Sequence, residues 1–507
     1  MKKQKVVVLG GGTAGSIAAL ALKRSAGQVI DVTQLYSSRL GTIGVGEGSL
    51  RQLPEFLHSY LGIDPALFFR EVEPTWKLGI RFKWGAGADF NYSFTPQVCV
   101  THPHEQLPRP LGFYCHGQMR NHALASTLMD NGFAFLSDPQ GRPVLEGNYG
   151  YHMDNRKLAG FLERHALNRG VTLIDDEVES VQADELGVRC LQLASGRRIE
   201  ADLFVDASGF RSLLLGQALE EPFVSYRSSL FCDRAVVGGW ERTSEPVHPY
   251  TTSESMEAGW CWQIELPRRV NRGYVYSSDF ISDEAAEREF RAKNPKLTDT
   301  NLVRFRSGRY ARAWVKNVVA IGNSAGFVEP LEATAIAAIC SASRMLAEMI
   351  GRSASCDPGP SNRQVFNNYN ERSWDTIADF LAVHYRFNTR IDNAFWRACN
   401  HDVDLRGAQP IVDHYRENGP CNHWQLILED PICRFRLDGY YTLLLGQQVD
   451  HAKLHTVTEA ERSAFARLQE ATGQYGSRGV SVPAALQSVL AEDWQWKASH
   501  FGVPQVL

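Results

Sequence analysis

The stretch Lys5-Val6-Val7-Val8-Leu9-Gly10-Gly11-Gly12-Thr13-Ala14-Gly15 reads as a β-branched strand running straight into a glycine-rich turn. Ser16 to Arg24, rich in Ala, Leu and Ile, follows as a helix. Gly10, Gly12 and Gly15 fit the GxGxxG spacing, which allows a tight turn, close approach to a pyrophosphate and close helix-to-strand packing. Thr13 and Ala14 sit inside the same turn, so the set Gly10, Gly12, Thr13, Ala14 and Gly15 is predicted to hold a dinucleotide. The second strand, Val29 to Leu35, should end in an acid for the adenosine ribose roughly 20 residues on, and Tyr36 stands there. Ser37, Ser38 or Arg39 is left to substitute for it.

Two further pieces separate FAD from a nicotinamide cofactor. Ile199 to Gly209 is a strand ending in a small-residue turn, and Val318-Val319-Ala320-Ile321-Gly322 is another. This discontinuous set resembles the large FAD fold of aromatic hydroxylases, with Tyr151 to Gly170 as the connecting helix. The loop Asn323 to Thr334 then leads into a helix from Ala333 to about Ile350. Free amides at such a terminus attract an anion, and Glu332 lies beside them.

Composition narrows the partners. The 507 residues are 44% hydrophobic, ample for a sizeable core, and a net charge of −4 with no basic stripe disfavours nucleic acid and anionic membrane. Val6 to Leu9 is too short an apolar run for a signal peptide or a membrane span, so a cytoplasmic protein is expected. The ten cysteines form no CxxC pair, and Cys421 and His423 are close in sequence without partners, so no metal is expected.

Four stretches, Gly44-Val45-Gly46-Glu47-Gly48-Ser49, Trp76-Lys77-Leu78-Gly79-Ile80, Trp260-Cys261-Trp262-Gln263-Ile264 and Phe327-Val328-Glu329-Pro330-Leu331-Glu332-Ala333-Thr334, occur in an order that resembles the flavin-dependent tryptophan halogenases. The resemblance spans residues 5 to about 350 and continues more weakly through 438–447. It implies an α/β chain: an FAD-binding doubly wound fold of the aromatic hydroxylase type, with an interleaved substrate-side β-sheet over 1–360 and a mainly helical C-terminal region over 361–507. Gly44, Val45, Gly46, Glu47, Gly322 and Leu331 would join the glycine loop around FAD.

By the same resemblance Lys77 receives hypohalous acid formed at the flavin, either as an ammonium that hydrogen-bonds it or as an amine that carries the halogen. A merely snorkelling or salt-bridged lysine is the bland alternative. Glu332 matches the second catalytic residue, a carboxylate able to polarise the oxidant or accept the ring proton. Its bland alternative is an acid stabilised at a helix start. The amides of Thr334 and Ala335 would hold chloride or bromide. Trp260 and Trp262 share one face of a strand and would wall the flavin off from the substrate. Glu265 stands where proline is usual, and Gly48-Ser49 where the strap joining the two sites usually has Ala-Thr.

The C-terminal third is aromatic-rich, and Phe94 with Tyr92, and Tyr440 with Tyr441, are candidates to stack on an electron-rich arene. Arg436 occupies the nearest match to the acid that would hold a free tryptophan ammonium. The implied activity is halogenation of an indole or tryptophan-like ring by reduced FAD, oxygen and halide. A separate flavin reductase is the implied partner, there being no second GxGxxG unit for NAD(P)H, and a homodimer is left open. A flavin monooxygenase that hydroxylates an aromatic ring, and a flavoprotein that binds an aromatic ligand without turnover, stay open beside it.

Overall fold

The computed structural model describes residues 2–41, 46–96, 123–428, 432, 434–453 and 456–502. Gly44 and Val45, two of the residues expected at FAD, fall outside them.

Val6, Val7 and Val8 are all buried, as a strand covered on both faces requires. The strand Gln4–Leu9 is accordingly central in a six-stranded sheet, between Ile30–Tyr36 and Leu203–Asp206. Leu203–Asp206 in turn pairs in parallel with Val318–Ala320, and the antiparallel edge strand Trp314–Val315 follows. Thr172–Asp175 forms the other edge. The dinucleotide-binding strands are thus drawn from three separated parts of the chain. The first helix runs Thr13–Ala26 and packs along Ala335–Ser353, where Gly351 allows the approach: a Cβ there would stand 2.4 Å from the Ser25 carbonyl oxygen.

The connecting helix starts later than expected. Residues Gly150–Asp154 form a strand, and only Asn155–Asn168 are helical, capped by the Asp154 carboxylate accepting from the amides of Arg156 and Lys157. The strand wins because it has two partners. It lies between Gly46–Gly48 and Thr75–Lys77 in a small three-stranded sheet.

A seven-stranded sheet forms the second layer, in the order Thr300–Arg304, Arg234–Glu241, Arg269–Tyr276, Gly259–Glu265, Thr251–Met256, Gly79–Lys83, Phe90–Ser93. All pairs are antiparallel except Thr251–Met256 with Gly79–Lys83. Residues 75–83 therefore pass directly from the small sheet into the large one, with Leu78 between.

The 27-residue helix Pro360–Arg386 packs Trp374, Ile377, Phe380 and Leu381 into the same core as Trp260, Trp262 and Ile264 of the large sheet. Residue 360 therefore marks a change of composition and not a separate core. Nor is the C-terminal region wholly helical: Gly479–Ser481 pairs with Phe133–Ser137, and Val482 and Val489 bury in the first core. No helix of the described residues is long and apolar enough to cross a membrane.

Candidate active site

Gly10 has φ +141°, and a Cβ on it would meet the Ala207 carbonyl oxygen at 2.2 Å; one on Gly15 would meet the Gly10 carbonyl oxygen at 2.1 Å. Both positions need glycine. Gly12 caps the first helix with no side-chain hydrogen bond, leaving the first-turn amides open to a phosphate. The Thr13 hydroxyl donates to Asn155 at 2.6 Å. Gly322, at φ +67°, faces Ala14, with only 3.0 Å between its Cβ position and that methyl. The two glycine turns therefore line one cradle, and its backbone fits the pyrophosphate of FAD. At the ribose end, the Tyr36 hydroxyl donates to Glu163 at 2.9 Å while its ring covers Gly11. Burial and that carboxylate raise the phenol to about 12.

Lys77 is wholly buried at the junction of the two sheets, and its ammonium has no hydrogen-bond partner among the described residues. Burial lowers it to about 8, opposed by attraction to Glu332. The Phe94 ring centre lies 5.6 Å from Nζ, and a Cβ on Gly48 would stand 3.3 Å from it. The strap thus leaves room at the lysine because it carries glycine. Neighbouring Glu47 is raised to about 7 by burial. His152, opposite Gly48, accepts from or donates to Thr251 at 2.8 Å; burial, then Lys77 and Arg242, hold it well below its usual value, so it is neutral.

Glu332 ends the short turn Pro330–Glu332, and Ala333 at φ +54° separates it from the helix Ala335–Ser353. It does not cap that helix. Its carboxylate meets His384 Nε2 at 2.8 Å, and His384 Nδ1 lies 3.0 Å from the Phe380 carbonyl oxygen. A carbonyl only accepts, so Nδ1 donates to it and Nε2 is the nitrogen that faces the Glu332 carboxylate. Thr334 caps the long helix with no side-chain bond, so its amide and that of Ala335 face the same loop.

The indole N–H of Trp260 donates to Glu329 at 2.7 Å, and the Tyr385 hydroxyl donates to the same carboxylate oxygen. Glu329 is fully buried, its other oxygen has no partner among the described residues, and burial pushes it up to about 7. The Trp262 ring fills the slot left by Gly273 on the neighbouring strand, where a Cβ would meet it at 2.4 Å. Glu265 is buried and ion-paired with Arg242 at 2.5 Å, so the strand continues through the position where proline was expected. A cleft of about 480 Å³ reaches Trp262, Asn271, Asp154 and Arg156 from outside; neither Lys77 nor Glu332 lines it.

Tyr440 and Tyr441 point apart, as adjacent helical residues do. Tyr440 packs edge-on against Phe380 at 5.1 Å, whereas the Tyr441 hydroxyl donates to the Cys421 carbonyl at 2.7 Å. His384, Glu329 and Tyr385 were not singled out as functional. Their signal was faint: His384 and Tyr385 lie 52 and 53 residues beyond Glu332 on another helix, and only folding joins them.

A dinucleotide fold split over three segments, with a buried lysine and a histidine-paired glutamate behind a tryptophan-bearing sheet, defines a flavin-dependent oxidoreductase acting on an aromatic ring. The family model described as tryptophan halogenase matches residues 5–462, and the chain belongs to that family. It is 34% identical over 448 residues to the tryptophan 7-halogenase RebH of Lentzea aerocolonigenes, with 82% of each chain covered. It is 35% identical over 465 residues to the 7-chloro-L-tryptophan 6-halogenase KtzR of Kutzneria sp. (strain 744), covering 84% of this chain and 86% of that one. Among solved structures it superposes on the lanthipeptide tryptophan 5-halogenase MibH with TM-score 0.88 and 36% identity, covering 97% and 94%. This chain is a flavin-dependent halogenase of tryptophan-like rings, and the hydroxylase alternative is not favoured.

Proposed function

We propose that Lys77 and Glu332 are the catalytic pair and that reduced FAD comes from a separate flavin reductase. When bound, reduced FAD would supply the two electrons that activate molecular oxygen, and oxygen is the oxidant that converts halide to hypohalous acid. Gly10, Gly12 and Gly15 take the pyrophosphate, and the amides of Thr334 and Ala335 take chloride or bromide. Trp260, held by Glu329, and Trp262 keep the arene from the flavin side. The Lys77 ammonium, which has no acceptor among the described residues, donates to the oxygen of hypohalous acid. The ring carbon then bonds the halogen, the oxygen–halogen bond breaks, and the leaving hydroxide takes a proton from the Lys77 ammonium to depart as water. Glu332, positioned by its contact with His384, takes the ring hydrogen as a proton and restores aromaticity.

The observation that carries this reading is the buried Lys77 Nζ, without a hydrogen-bond partner among the described residues and with Glu332 as its electrostatic partner. At the substrate end, burial and neighbouring Arg436 hold the Arg51 guanidinium below its usual value. Two cations there disfavour recognition of an ammonium group and favour an indole with an anionic polar end. The likeness to MibH adds a second reading, a tryptophan within a peptide.

The test is mass spectrometry of indole, tryptophan, an indole carboxylate and a tryptophan-containing peptide, each with protein, FAD, NADH, a flavin reductase, halide and catalase. A halogen isotope doublet is expected, lost in Lys77→Ala while reduced flavin is still consumed. Yield per flavin oxidised should fall as pH rises through about 8, where the ammonium deprotonates. A doublet that survives Lys77→Ala would remove the lysine from the chemistry, and a yield rising with pH would assign the amine as the halogen carrier.

A further inference from the structure

Away from the flavin and the arene, the helix Gln409–Asn418 ends at Gly419, whose φ of +71° turns the chain back on itself. Pro420 follows, and the returning loop lays Cys421 and His423 against His414 of the helix just left. Cys421 Sγ is 3.5 Å from His423 Nδ1 and 3.7 Å from His414 Nδ1, and His423 Nδ1 is 3.3 Å from His414 Nε2. One ring nitrogen of each histidine and the sulfur lie within 4.8 Å of one another. Cys421 and His423 therefore do have a third member, which the spacing His-x₆-Cys-x-His conceals.

We propose that His414, Cys421 and His423 form a binding site for a zinc-class divalent cation. A tetrahedral ion with bonds of about 2.3 Å to sulfur and 2.0–2.1 Å to nitrogen sets its ligands about 3.6 Å apart for S···N and about 3.4 Å for N···N. The two sulfur-to-nitrogen separations, 3.5 and 3.7 Å, match the first with Nδ1 of each histidine as the ligand atom, while the 3.3 Å contact of His423 Nδ1 is with the other ring nitrogen of His414, Nε2. Thiolate and imidazole are the donors that such an ion prefers over calcium or magnesium. With three protein ligands a fourth position stays open on the exposed side of His423, for water. The cysteine is also firmly placed: the Tyr441 hydroxyl donates to its carbonyl at 2.7 Å, and its own amide points back to that hydroxyl at 3.4 Å. A bound ion would thereby clamp the loop to the helix Arg436–Gly446 that carries Tyr440. It would also occupy the thiol of Cys421, which alone among the described free cysteines is not buried.

The probe is cobalt(II) added to full-length protein after dialysis against chelator. Equimolar binding with a thiolate-to-cobalt charge-transfer band and the visible bands of a tetrahedral centre is expected, displaced by zinc. The spectrum should vanish in Cys421→Ser and weaken in His423→Ala. His423 is exposed, so that variant keeps its fold. Zinc should raise the melting temperature of the unaltered chain and leave that of Cys421→Ser unmoved. A cobalt spectrum without the thiolate band, or one that persists in Cys421→Ser, would overturn the site.

Discussion

At the scale of the residue, Lys77 is a charge kept where it is least stable. Its folded value of about 8 lies below the ordinary 10.5, so between those pH values the unfolded chain binds more protons and stability rises with pH. Below about 8 the penalty is present in full. Lys77→Met should therefore stabilise the protein at pH 7 by about 1–3 kcal/mol, the difference narrowing toward pH 10. Urea unfolding at the two pH values checks it, and a variant weaker at both would contradict the burial argument. Glu329 carries the opposite sign. Its folded value, raised from 4.5 to about 7, means the contribution is present below 4.5 and lost as pH rises through 7. Glu329→Gln keeps an acceptor for Trp260 and Tyr385, and should add about 1–3 kcal/mol at pH 8 while changing little at pH 4. Glu329→Ala, which frees the Trp260 indole, should lower the yield of halogenated product per flavin oxidised. A matched loss in Glu329→Gln would show that the charge, and not the hydrogen bond, holds the indole.

At the scale of the element, three short pieces set the site. The small sheet of Gly46–Gly48, Gly150–Asp154 and Thr75–Lys77 puts strap, neutral histidine and lysine in register, Gly48 opposite His152 and Lys77 opposite Gly150. The glycine turn does the same for the cofactor. Gly15→Ala drives a methyl to 2.1 Å from the Gly10 carbonyl oxygen, so helix and strand must separate. We expect a loss of about 1–3 kcal/mol in stability and at least a tenfold weaker FAD affinity, read by flavin fluorescence titration. An unchanged affinity would show that the pyrophosphate does not sit on this turn.

At the scale of the whole molecule, the layers decide what meets. The helix Pro360–Arg386 crosses the large sheet and delivers His384 to Glu332 and Tyr385 to Glu329 on successive residues. Neither meeting has a local signature, because residues more than fifty apart leave no periodicity to read. By itself the sequence determined the dinucleotide fold, since Gly10, Gly12 and Gly15 stand at GxGxxG spacing between a β-branched strand and a helix, and it determined the family through four ordered motifs. It also singled out Lys77 and Glu332, the pair proposed as catalytic. Only the tertiary structure decided that Tyr151–Asp154 is a strand, because the partners that hold it lie about seventy and a hundred residues earlier. The same holds for the divergence of Tyr441 from Tyr440, and for the return of Cys421 and His423 to His414. Spacing along the chain records local turns and repeats; contacts made by long-range packing depend on where distant surfaces bury one another.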